Sequence, residues 1–188
     1  MGKSGRRSRH PAEIGLQVLI KPALNAQFGT ASRLLNYHLA TLTDDECFWR
    51  PAPVGPHVQL SAEGRWTADW PEDEAYALGP PSIAWLTWHI GFWWSMLLDH
   101  SFGEGRLRRE DIIWPGNAAA AVAWISGLES RWVEALDALT ETELQSSQLT
   151  RWPFLDRPFA DVAAWVNLEL TKNAAEIGYA RFLYAARQ

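Results

Sequence analysis

Apolar residues recur at spacings of three and four along four long stretches of the chain, with polar residues filling the gaps. In the first, the periodicity starts near Ile14 and strengthens from Pro22 to Leu42, where Leu24, Phe28, Ala31, Leu35, His38 and Leu39 share one face. A second runs from Ser82, a good N-cap, to about His100, with Gly103 and Gly105 beyond it as stop signals. The third spans Asn117 to Leu139, with Val122, Ile125, Leu128, Trp132, Val133 and Leu136 as its stripe. The fourth runs from Phe159 to about Ala185. Short restarts are predicted at Thr43-Asp44-Asp45-Glu46 and Thr140-Glu141-Thr142-Glu143, where a hydroxyl cap precedes first-turn acids. No convincing alternating strand pattern or fixed-period repeat occurs, so the pattern predicts an all-α bundle.

Between the first two long helices, residues 51–81 hold six of the eleven prolines, interleaved with Trp66, Trp70 and Tyr76. A connection of this length in a compact domain is expected to be a lid or binding loop, or to conceal short strands. Its aromatics are expected to fold back onto the body.

Length and composition suit one soluble domain: 188 residues, 47% hydrophobic and 21% charged. Residues 1–13 read as a basic flexible tail and 14–188 as a single helical domain. Removing Lys3, Arg6, Arg7 and Arg9 leaves 13 basic against 22 acidic residues in the remainder. An acidic body is a poor phosphate-backbone binder, so nucleic acid is not an expected partner. The longest apolar stretch, Trp85–Leu98, is 14 residues and contains His89, too short for a membrane span of about 20. With no apolar signal core after the basic tail and Cys47 as the only cysteine, a cytoplasmic protein without internal disulfides is expected. Cys47 reads as a packed small hydrophobe.

The last helix carries the most informative residues. At 100° per residue, Val162, Val166, Glu169, Asn173, Ile177, Ala180 and Tyr184 share a face, with Glu176 at its edge. A carboxylate and an amide thus sit where packing favours Leu or Val, and each needs a partner. On the second long helix, His89 shares its face with Ser82, Trp85, Leu86, Phe92, Trp93, Met96 and His100. Facing helices would bring His89 toward Glu169 and Asn173, the raw material of a metal site, an acid–base pair or a satisfied polar network. If the last helix is rotated, Glu169 instead pairs at its surface with Lys172. Trp85, Trp93, Met96, His38 and Glu176 are the expected pocket residues. Trp66 and Trp70 would form a lid over an apolar or cationic small molecule. His57 and His10 are expected in solvent, and Arg151 and Arg157 offer an anion contact ahead of the last helix.

His89-Ile90-Gly91 on an aromatic-rich helix, Asn173 to Tyr179 (NAAEIGY) on the last, and Thr43 to Pro53 (TDDECFWRPAP) after the first together resemble the DinB-like superfamily, over about residues 20–187. The resemblance implies an up-down-down-up four-helix bundle, often a homodimer. It also implies a divalent ion such as zinc or nickel held by three histidines, one on the second helix and two a turn apart on the last. His89 matches the first of these. Asn173 stands at a histidine position, and Glu169 stands one turn earlier at the other. The expected metal set is therefore His89, Glu169 and Asn173, with two histidines replaced.

Several relatives use the ion to activate a low-molecular-weight thiol, so the resemblance points to a metal-dependent thiol transferase or hydrolase-like enzyme. The alternative is a non-catalytic small-molecule-binding or stress-related module whose metal site is lost. His100 lies three turns from His89, about 16 Å along the axis, and cannot share an ion with it. His38 remains a possible substitute ligand.

Overall fold

The computed structural model describes residues 19–73 and 75–187. The basic tail, His10 and the start of the first periodic stretch at Ile14 lie outside them. Four long helices appear where the periodicity predicts them: α1 (Lys21–Leu39), α3 (Ile83–Phe102), α4 (Ala118–Ala138) and α6 (Phe159–Ala185). Two short helices, α2 (Asp44–Phe48) and α5 (Glu141–Leu144), complete the set.

The helix ends follow from local chemistry. Ser82 Oγ accepts the Trp85 amide at 3.2 Å, and Asn117 Oδ1 accepts the Ala120 amide at 2.8 Å. Thr43 with Glu46, and Thr140 with Glu143, form reciprocal capping boxes on α2 and α5. The start of α1 is different, because Ile20 has no capping side chain of its own. Glu141 of α5 accepts the Ile20 and Lys21 amides at 3.0 and 3.1 Å, so a residue 120 positions away satisfies the orphan donors. The Lys21 ammonium returns the contact by donating to Leu139 O at 2.8 Å.

Side-chain bonds record how the helices lie. Asn25 reaches Asp137 and Asn36 reaches Glu129, so α1 and α4 run in opposite directions. Asn167 donates to Leu24 O and Arg181 to His38 O, so α1 and α6 run the same way. Against α3, α6 is reversed: Phe102 meets Phe159 while His89 meets Asn173. The central α3 is buried along most of its length. Its tryptophans Trp88, Trp93 and Trp94 fill the core of this same chain.

The proline-rich connection does conceal short strands, one of the forms expected of it. β1 (Val58–Leu60) and β2 (Trp66–Ala68) pair antiparallel, with Val58 opposite Ala68 and Leu60 opposite Trp66. Three residues per strand are too few to register a period of two. The class is unchanged: an all-α fold with one small hairpin. No helix among the described residues is long and apolar enough to cross a membrane.

Candidate functional site

Asn173 lies in the middle of α6 with 1% of its surface exposed, where a lone amide must be hydrogen-bonded to be tolerated. Its oxygen accepts the Trp93 indole N–H at 3.3 Å and stands 3.3 Å from His89 Nδ1. Its nitrogen donates to Glu176 Oε2 at 2.9 Å. An indole nitrogen can only donate and a carboxylate here accepts, so these two neighbours fix which end of the amide is which. The oxygen therefore faces His89, and Nδ1 of that imidazole carries a proton and donates it. Four residues from two helices thus form one directional network.

The imidazole is also held from the side. Trp85 stacks on it with ring centroids 4.8 Å apart and planes 10° from parallel. Trp85 is pinned in turn by its indole N–H donating to Asp69 O at 2.7 Å. Further rings continue the wall: Phe92 meets Trp152 at 5.8 Å, and Trp165 meets both Trp152 and Trp93 at 5.8 Å. Trp152 and Trp165 were not anticipated. Trp165 was recoverable, because it sits one turn before Glu169 on α6, whereas Trp152 comes from the irregular segment ahead of that helix.

The structure brings His89, Asn173, Trp93 and Glu176 into contact and leaves Glu169 with another partner. The Glu169 carboxylate forms an ion pair with Lys172 at 2.7 Å, the i,i+3 pairing on its own helix. Met96 is buried in the core. His38 is on another face: its ring packs over Gly178, where a Cβ would collide with it. Gly178 is five residues beyond Asn173, about 140° around α6 from it. Burial first, and then the nearby Arg181 guanidinium, hold the His38 pKa below its ordinary value. His38 is therefore a packing residue of the α1–α6 seam.

The proposed lid divides. Trp70 covers Trp88 and Phe92, with Arg109 over its ring at 4.7 Å. Trp66 instead packs on Phe48 and Trp114, away from His89. The expectation of a solvated His57 is also corrected. Its Nδ1 lies 2.7 Å from Ser82 Oγ and its ring meets Phe48, which fastens the hairpin to the start of α3. Arg157, just ahead of α6, lies over the Phe154 ring. Cys47 is fully buried, and desolvation, with Asp44 and Glu46 adding to it, pushes its thiol up to about 12. A thiol that stays protonated is no nucleophile.

The donor set does not suit a three-ligand ion site. The Asn173 oxygen is taken by two N–H groups and the Glu169 charge is matched by Lys172, so two of the three expected ligands are engaged elsewhere. Among the described residues, no group of three or more His, Cys, Asp or Glu is arranged to hold a metal.

A helical bundle with a buried polar network between its second and last long helices, ringed by tryptophan, is the class these features define. The DinB superfamily profile matches residues 27–177, most of the chain, and the chain belongs to that superfamily. No curated protein and no solved structure matches it.

Proposed function

We propose that the chain is a small-molecule-binding DinB-superfamily bundle whose polar centre works without the three-histidine ion. The observation that carries this reading is the Asn173 amide, which spends its oxygen on Trp93 and His89 and its nitrogen on Glu176. A metal-ligating oxygen needs a lone pair directed at the ion, and this one is already directed at two donors. The half-buried rings of Trp85, Trp152 and Trp165 would receive the apolar body of a ligand, with the imidazole and the Glu169 and Glu176 carboxylates orienting it.

The residue pairings support an up-down-down-up order for α1, α3, α4 and α6, and a cytoplasmic setting remains part of the reading. So does a homodimer, now resting on α1 and α6. Tyr37, Leu168, Tyr179 and Phe182 are exposed on those helices, and 168, 175, 179 and 182 follow the spacing of a helix-packing stripe.

The test is a thermal-shift series with zinc, nickel and low-molecular-weight thiols, alone and combined. The expected outcome is no stabilisation by either ion. Stabilisation of about 2.7 kcal/mol at a hundredfold excess over Kd, abolished in His89→Ala, would overturn the reading. It would favour instead a zinc- or nickel-dependent thiol transferase or hydrolase-like enzyme.

A further inference from the structure

A cavity of about 890 Å³ lies away from the His89 network, in the groove between α3 and α4 under the 103–113 segment. Its apolar floor is made by Leu98, Phe102, Leu107, Ile112 and Leu139, with Trp124 as its aromatic wall. Trp124 is seated deliberately. The end of its six-membered ring occupies the space that a Cβ on residue 91 would take, so Gly91 on α3 lets the indole lie against the helix backbone. Phe102 and Ile113 stay exposed at the groove, at 38% and 44%. An apolar surface of this kind, left open in a shaped recess, is the usual ground for a ligand.

The charge around it is one-sided. Asp99, Asp111, Glu134 and Glu143 line the groove with one cation, Arg131, and Arg108 pairs with Asp111 at 3.4 Å, which leaves the acids in excess. Three of these acids are held ionised by backbone donors. The Leu107 amide on Asp99, the Arg108 amide on Asp111 and the Thr140 amide on Glu143 keep each carboxyl below its usual range. Glu134 follows Arg131 by three residues on α4 and, among the described residues, makes no side-chain hydrogen bond or ion pair, so its charge is available to an incoming group. An apolar recess edged by a surplus of carboxylate complements an organic cation and disfavours an anion.

We infer that the α3–α4 groove is a second ligand site, separate from the His89 centre, that takes a small organic amine with an apolar body. The ammonium sits at Glu134, and the apolar body lies on Leu98, Phe102 and Leu139.

Titration calorimetry of the full chain tests this with three probes of similar size: 2-phenylethylamine, 2-phenylethanol and phenylacetate. The amine is expected to bind, the alcohol to bind about fivefold more weakly or worse, and phenylacetate not at all. Added salt should weaken the amine alone. Glu134→Gln, at an exposed position, should lose about fivefold in amine affinity with the fold intact. His89→Ala should leave amine binding unchanged. The inference is overturned if no probe binds, if alcohol and amine bind equally, if phenylacetate binds, or if His89→Ala alone removes the binding.

Discussion

One oxygen of Asn173 joins His89 and Trp93, residues one turn apart on α3, at 3.3 Å to each. The amide is consequently a structural crosslink between α3 and α6 as well as the centre of the candidate site. Whatever binds beside His89 meets an imidazole whose Nδ1 proton is already assigned.

Asn173→Leu removes the acceptor of a buried indole N–H and the donor to Glu176, and it should lower stability by about 1–3 kcal/mol. Urea unfolding measures that loss. Trp93→Phe combined with Asn173→Leu should cost less than the two separate losses added together, because the second change no longer leaves an unpaired group. Strict additivity would mean that the Trp93–Asn173 bond contributes nothing.

Two helical glycines should respond with opposite sign to alanine. At Gly91 a methyl would run into the Trp124 ring, so Gly91→Ala should destabilise by about 1–3 kcal/mol through overpacking. At Gly127, on α4, nothing lies within 4 Å of the added carbon. There the gain in helix propensity should stabilise by about 0.5–1 kcal/mol. Melting temperatures of the two variants check both signs, and a stabilising Gly91→Ala would contradict the seating of Trp124.

Acid should weaken the fold in two stages. The pKa values of His38 and His57 are held below the ordinary value by burial first. Arg181 acts the same way on His38, and Arg50 on His57, where Asp69 opposes it. As pH falls through about 6.5, the unfolded chain takes up protons that the folded chain refuses, so stability is full above that value and declines below it. Glu46 follows at lower pH. Burial alone would raise its pKa, but the Arg181 and Thr43 hydrogen bonds outweigh it and the net direction is down. Its contribution is present above the ordinary carboxylate value of about 4.3 and is lost as pH drops through the folded one. Urea midpoints should therefore fall between pH 7.5 and 5, and fall less in His38→Gln. A midpoint that rises on acidification would contradict this.

The exposed stripe on α6 gives a direct test of association. Tyr179→Asp and Phe182→Asp change residues that are 66% and 71% exposed, so the fold should survive. If the stripe joins two copies, light scattering after size-exclusion chromatography should read a dimer for the parent and a monomer for both variants. A parent that is monomeric at high concentration would remove the homodimer from the proposal.

The long helices and their caps could be read from the chain because the forces that set them are local. Ser82, Asn117, Thr43 and Thr140 each bond an amide three residues ahead, and the periodic stripes need no knowledge of what covers them. His89 and Asn173 could be picked out for a similar reason, as polar side chains on apolar faces. Their joining, and the loss of Glu169 to Lys172, depended on the rotation of two helices about their own axes, which no spacing within either helix encodes. The same is true of Glu141 capping α1 from across the chain, of Trp124 lying on Gly91, and of His57 binding Ser82. Each is a contact between segments remote in sequence, decided only when the helices packed and every buried donor had to find an acceptor.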